Sequence, residues 1–144
     1  MSSFASCIAL AQPLESTRQV ASKARVAIVD DDPAVRLLLR TFLRLLPSVT
    51  VVVEVDNGAD AAQAIVDAHA DVVIMDYDLG RVDGIEATQA VMAARPHVHV
   101  VVFTASGDGA VAAGFRSAGA VDQFDKSELQ QLIAYVASIP SPSC

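Results

Sequence analysis

The 144-residue chain has no tryptophan, and aromatic residues make up only 5% of it. Cysteine is almost as scarce: Cys7 and Cys144 lie near opposite ends and show no metal-ligand spacing. Such usage suits a reduced, cytoplasmic location, with a disulfide between the ends as the one pairing available. Positive charge is also short, with 10 Lys and Arg against 17 Asp and Glu and a net charge of −7, which argues against a broad nucleic-acid footprint. No apolar run approaches the roughly 20 residues that span a bilayer. No Lys or Arg precedes the mildly apolar Phe4–Ala11 stretch, which argues against a secretory signal. Phe4-Ala5-Ser6-Cys7 lacks the basic start and long apolar segment of a lipid-attachment box. Internal repeats and low-complexity blocks are missing as well. What remains is 53% hydrophobic with a mean hydropathy of +0.43, mostly Ala and Val, which is ample for one core and one domain.

The central stretch is Val72-Val73-Ile74-Met75-Asp76-Tyr77-Asp78-Leu79-Gly80, an apolar run that reads as a strand buried on both faces and ends in a carboxylate. Val26–Val29 runs into Asp30-Asp31-Asp32, and Val98–Phe103 runs into Thr104. Val49–Val55 and a short segment around Val121–Phe124 complete five predicted strands. Helices are predicted over Ala34–Leu46, Ala59–Ala68, Ile85–Ala94, Asp108–Ser117 and Glu128–Ser138. In the first of them Leu37, Leu38, Phe42, Leu45 and Leu46 recur at helical spacing, and Asp32-Pro33 supplies a cap and a tolerant first turn. Strict alternation of strand and helix predicts a single-domain α/β fold, a doubly wound five-stranded parallel sheet with right-handed crossovers. Residues 1–24 read as an N-terminal extension, 25–138 as the domain and 139–144 as a loose tail.

Asp30, Asp31, Asp76, Thr104 and Lys126 all fall at predicted strand ends, and in an open α/β sheet the carboxyl ends carry the chemistry. Converging carboxylates repel one another, and a hard divalent cation such as Mg²⁺ relieves that repulsion. One aspartate can instead attack phosphorus and form an acyl phosphate. The transferred group then needs cationic and hydrogen-bonding partners, for which Lys126 and Thr104 have the right chemistry. Asp32 reads as a cap and Asp83-Gly84 as turn and helix start. His69, His97 and His99 show no partner spacing and read as surface or strand residues.

Four motifs, Val-Asp-Asp-Asp-Pro at 29–33, Met-Asp-Tyr-Asp-Leu-Gly-Arg-Val-Asp-Gly at 75–84, Phe-Thr-Ala at 103–105 and Phe-Asp-Lys-Ser at 124–127, stand in order at these strand ends. The set resembles the receiver domain of bacterial response regulators, over about Arg25 to Ser138. That resemblance implies the flavodoxin-like receiver fold with strand order 2-1-3-4-5, for which a receiver domain is itself a standard example. It implies Asp76 as phosphoacceptor, Asp31 as direct Mg²⁺ ligand, Asp30 as its water-mediated neighbour and the backbone carbonyl of Asp78 as a further ligand. Thr104 and Lys126 would bind the phosphoryl group and act in phosphorylation rather than in folding.

The resemblance further implies a phosphorylation-dependent switch that takes its phosphoryl group from a histidine kinase or phosphotransfer protein. A stand-alone receiver would then signal through a downstream protein, with a homodimer through helix four, strand five and helix five as one surface use. Neither membrane nor direct nucleic-acid binding is expected. No enzyme activity is expected beyond self-catalysed phosphoryl transfer and slow autodephosphorylation. The chain departs from the family pattern at Gly80, Ser127 and Gln123, where Pro, Pro and an aromatic residue are usual. Strand alternation predicts Phe124 inward and Gln123 outward. Two other readings stand beside this one. Asp76-Tyr77-Asp78 resembles the nucleophile motif of haloacid-dehalogenase-type phosphatases, and a degenerate receiver would bind partners without phosphate.

Overall fold

Runs of Val and Ile alternate with Ala-rich amphipathic segments, and the structure folds them as strand and helix in turn. The computed structural model describes residues 22–140; Cys7, Cys144, most of the N-terminal extension and most of the tail lie outside the described residues. The elements are β1 (Ala24–Val29), α1 (Pro33–Leu43), β2 (Val49–Val55), α2 (Ala61–Ala68), β3 (Val72–Met75), α3 (Gly84–Ala94), β4 (His99–Thr104), α4 (Gly109–Ala118), β5 (Asp122–Asp125) and α5 (Leu129–Ser138). All strand pairs are parallel, in the order β2-β1-β3-β4-β5, with one register irregularity between Val26 and Ala27 opposite β2.

Side chains alternate across the sheet and build two cores. Ala27, Val29, Val73, Met75, Val100 and Val102 face α2, α3 and α4, where Ile65, Val91 and Phe115 meet them. Val26, Ile28, Val72, Ile74, Val101 and Phe103 face α1 and α5, where Leu39, Leu43, Leu132 and Val136 meet them. Ile139, placed by the sequence reading in the tail, packs into this second core. Among the described residues no helix is long and apolar enough to cross a membrane.

Helix α1 departs from its expected face. Its buried side chains are Leu39 and Leu43, whereas Leu37, Leu38, Phe42 and Leu45 are exposed, Leu45 by 74%. The helix carries more apolar residues than one face can bury, so spacing alone cannot choose the face that turns inward. It also ends at Leu43 rather than at the turn before Pro47.

One core position carries an avoidable cost. Thr88 on α3 is fully buried, and its hydroxyl has no hydrogen-bond partner. Thr88→Val removes an unsatisfied buried group at nearly constant volume. It should therefore raise stability by about 1 kcal/mol in a denaturant titration, with an unchanged slope.

Candidate functional site

The ladder runs one residue past several strands and thereby aligns the polar tips. Asp76 N–H donates to the Val29 carbonyl at 3.0 Å, Asp30 N–H to Val55 at 3.0 Å, and Lys126 N–H to Thr104 at 3.2 Å. These bonds fix Asp30, Asp76, Thr104 and Lys126 along one carboxyl edge of the sheet.

Asp30 and Asp76 are nearly buried, with side chains 3% and 6% exposed. Lys126 Nζ donates to Asp30 Oδ2 at 2.7 Å and to Asp76 Oδ2 at 3.2 Å. The second oxygen of Asp30 accepts from the Asp32 amide at 2.9 Å, and that of Asp76 accepts from the Tyr77 amide at 2.8 Å. Asp31 is exposed, yet it offers a carboxylate oxygen to a cluster with Asp30 and Asp76 whose three oxygens lie within 4.8 Å of one another. Burial raises the Asp30 carboxyl above its ordinary pKa, reinforced by the Asp76 charge and opposed by hydrogen bonds from Lys126 and Asp32. For Lys126, burial pulls downward, but the hydrogen bond to Asp30 and the two carboxylate charges outweigh it and hold the ammonium above its ordinary value.

Thr104 is fully buried at the end of β4, and its Oγ1 accepts from the Ser106 amide at 3.2 Å. That bond uses an oxygen lone pair and leaves the hydroxyl proton free to be donated. The Asp78 carboxylate accepts from Ser106 Oγ, bridging the loop after β3 to the loop after β4. Beside the bridge opens a shallow cleft of about 450 Å³ lined by Tyr77, Ser106, Gly107, Asp108 and Asp125. Asp32 caps α1 as expected, accepting from the Ala34 amide, and Asp83, expected as a turn residue, forms a reciprocal capping box with Glu86 at the start of α3. His69 caps α2 in the left-handed conformation, φ 54°.

Several contributors went unread in the sequence. Ser106 sits in an ordinary polar loop and carries no local signature. Gly84 was read only as a helix start, but a Cβ there would lie 2.0 Å from the Asp76 carbonyl oxygen, so α3 begins hard against the loop of Asp76. Arg36 on α1 donates to the Asp30 carbonyl at 2.7 Å and pairs with Glu54 on β2, tying the acidic loop to the neighbouring strand. Gln123 is turned away from the Phe124 face, as alternation predicts, but it is half-buried rather than free in solvent. It is tucked under the loop after β4, reaching the Gly107 carbonyl. Phe124 packs toward the core against Tyr135, as alternation predicts.

An all-parallel 2-1-3-4-5 sheet with an acidic pocket and a lysine at its carboxyl edge defines a doubly wound, flavodoxin-like α/β domain. The chain belongs to the response regulator receiver domain family, which it matches over residues 26–137. Similar solved structures include the response regulator domain of Thermotoga maritima CheB, at 25% identity and TM-score 0.71, covering 82% of this chain and 98% of that one. A LuxR-family two-component response regulator from Aurantimonas sp. SI85-9A1 matches at 31% identity and TM-score 0.72, over 85% and 91% of the two chains. Among curated relatives, protein-glutamate methylesterase/protein-glutamine glutaminase 2 of Carboxydothermus hydrogenoformans is 34% identical over 90 residues, 62% of this chain and 25% of that protein. The transcriptional regulatory protein YxjL of Bacillus subtilis is 35% identical over 82 residues, 57% of this chain and 38% of that protein. The chain thus spans well under half the length of these two curated relatives.

Proposed function

We propose that this receiver domain is a phosphorylation-dependent switch of a two-component or phosphorelay pathway, with Asp76 as its phosphoacceptor. The carrying observation is the lysine bridge: Lys126 Nζ sits between Asp76 and Asp30, with Asp31 in the same oxygen cluster. A carboxylate oxygen of Asp76 attacks the phosphorus of a phosphohistidine. The P–N bond breaks, its electron pair returns to the imidazole nitrogen, which takes a proton, and an acyl phosphate remains. The Thr104 hydroxyl donates to one phosphoryl oxygen, and Lys126 exchanges its contact with Asp76 for another.

The oxygen-only donor set, two buried carboxylates and one exposed, fits a hard divalent cation that keeps several waters. Asp30, Asp31, Asp76 and the backbone carbonyl of Asp78 would hold Mg²⁺, which when bound neutralises charge on the phosphoryl oxygens. The Asp78 carboxylate is engaged by Ser106 at the rim, an arrangement that favours a receiver over an aspartate phosphatase with Asp78 as general acid.

Donor and recipient on this reading are proteins: a histidine kinase or phosphotransfer protein supplies the group, and a downstream protein reads the result, in the cytoplasm. Of the large exposed apolar side chains among the described residues, Leu37, Leu38, Phe42 and Leu45 lie on or just after α1, and only Val121 lies beside β5. The α1 face begins next to Asp31 and is therefore the better placed for a phosphodonor. The α4–β5–α5 face is left for the downstream partner or a second copy.

A beryllofluoride titration followed by NMR tests the reading. Shifts at Thr104 and Lys126 should require both beryllofluoride and Mg²⁺ and should vanish in Asp76→Asn. Equal shifts in that variant would place the acceptor elsewhere.

A further inference from the structure

Gln123 occupies an unusual position for a polar side chain. In β5 it is in register with Val102, while Phe124 is in register with Phe103, so the carboxamide points to the α2–α4 side of the sheet. There it slides beneath the loop that joins β4 to α4. Its Nε2 donates to the Gly107 carbonyl at 3.4 Å, a long and weak bond, while its Oε1 is buried with no partner. The fit depends on glycine above it. A Cβ at residue 107 would lie 2.2 Å from Gln123 Nε2 and 3.5 Å from the Thr104 methyl carbon.

The loop above the carboxamide is the rim of the pocket. One residue before Gly107, Ser106 makes two bonds, its amide to Thr104 Oγ1 and its hydroxyl to Asp78. Both fall away if the loop lifts. A group filling space would do so more cheaply as an apolar chain, since a buried oxygen without a donor carries its full desolvation cost. The carboxamide instead offers one attachment, to the backbone of the residue next to Ser106.

We propose that Gln123 is a positioning residue for the phosphoryl pocket: its carboxamide, lodged under Gly107, latches the β4–α4 loop so that Ser106 holds Thr104 and Asp78 in place. This rests on the reading of Asp76 as phosphoacceptor. The Gln123 carboxamide bonds to the Gly107 carbonyl and not to Asp76, so the effect travels through the loop. The latch is weak because its one bond is long and its oxygen is unpaired. It therefore holds the rim without locking it, and the loop can give way when the Thr104 hydroxyl turns to a phosphoryl oxygen.

Two variants of the full chain separate latching from mere filling. Gln123→Met keeps a side chain of similar length and removes the unpaired oxygen, so the thermal midpoint should rise by about 2–4 °C. In the same variant, amide exchange at Ser106, whose N–H is held by Thr104 Oγ1, should quicken by about three- to tenfold, the worth of one weak hydrogen bond. The lifetime of the phosphoryl group should shorten by about threefold or more as the rim opens to water. Gly107→Ala, whose Cβ evicts the carboxamide, should reproduce the fast exchange and short lifetime. A more stable protein with a looser rim is a combination that a space-filling role does not produce. Wild-type exchange at Ser106 and a wild-type lifetime in both variants would overturn the proposal. If the wild-type chain takes up no phosphoryl group, the functional reading fails, and the exchange rates still decide whether Gln123 holds the loop.

Discussion

Lys126→Ala should destabilise the metal-free protein by about 1–3 kcal/mol, and millimolar Mg²⁺ should restore most of the loss. The lysine touches two carboxylates whose side chains are 3% and 6% exposed, so its removal leaves Asp30 and Asp76 facing each other without a counter-charge. Breaking a fully buried pair costs about 3–5 kcal/mol, and the lysine side chain is itself 23% exposed, which scales the figure down. Lys126 is expected from the sequence to act in phosphorylation rather than in folding; its ion pairs with two buried carboxylates predict a share in stability as well, one that a bound cation would take over. Thermal unfolding with and without Mg²⁺ measures both. A midpoint unchanged in metal-free buffer would mean that water already screens the two carboxylates.

The pH dependence follows from the same burial. Asp30 has a raised pKa in the folded protein, so the fold binds that proton more tightly than the unfolded chain does. Its contribution to stability is complete below the ordinary carboxylate range and declines as pH rises through the folded value. Metal-free Asp30→Asn should therefore be the more stable protein at neutral pH, with the gain fading toward the acid end of that window.

Asp31→Ala should weaken Mg²⁺ binding by at least about tenfold, while Asp32→Ala should stay within about twofold. The two residues are neighbours of the same chemical type, and only geometry distinguishes them. Asp31 contributes an oxygen to the cluster with Asp30 and Asp76; Asp32 spends its carboxylate on the Ala34 amide at the start of α1. The Asp32 variant should instead lose about 1 kcal/mol of stability as a missing cap. Calorimetric titration of both variants decides the matter, and equal losses of affinity would shift the ligand run by one residue.

The five strands, the acidic edge and the lysine were legible because each depends on a local pattern, a β-branched run and then a polar residue, repeated. The strand order 2-1-3-4-5 came only with the family resemblance, since no local pattern encodes which strands pair. The motif at 75–84 and the Asp30-Asp31 pair end such runs, and the sheet then has to bring them together. Where patterns saturate, the reading fails. Helix α1 has apolar residues on most of its circumference, so Leu39 and Leu43 could not be picked out as its buried pair. Alternation correctly put Phe124 and Gln123 on opposite faces, but a strand pattern cannot show that a loop folds back over the Gln123 side. The Ser106–Asp78 bridge and the approach of Gly84 to Asp76 join residues 28 and 8 positions apart through loop geometry that no local pattern encodes.

The central claim is that Asp76 carries the phosphoryl group. Incubation of the full chain with a phosphodonor and Mg²⁺, followed by intact-mass and peptide mass spectrometry, tests it most directly. The account predicts one added phosphoryl group, mapped to Asp76, released by hydroxylamine, dependent on Mg²⁺ and absent from Asp76→Asn. Undiminished labelling of Asp76→Asn, or a modification that survives hydroxylamine, would contradict it.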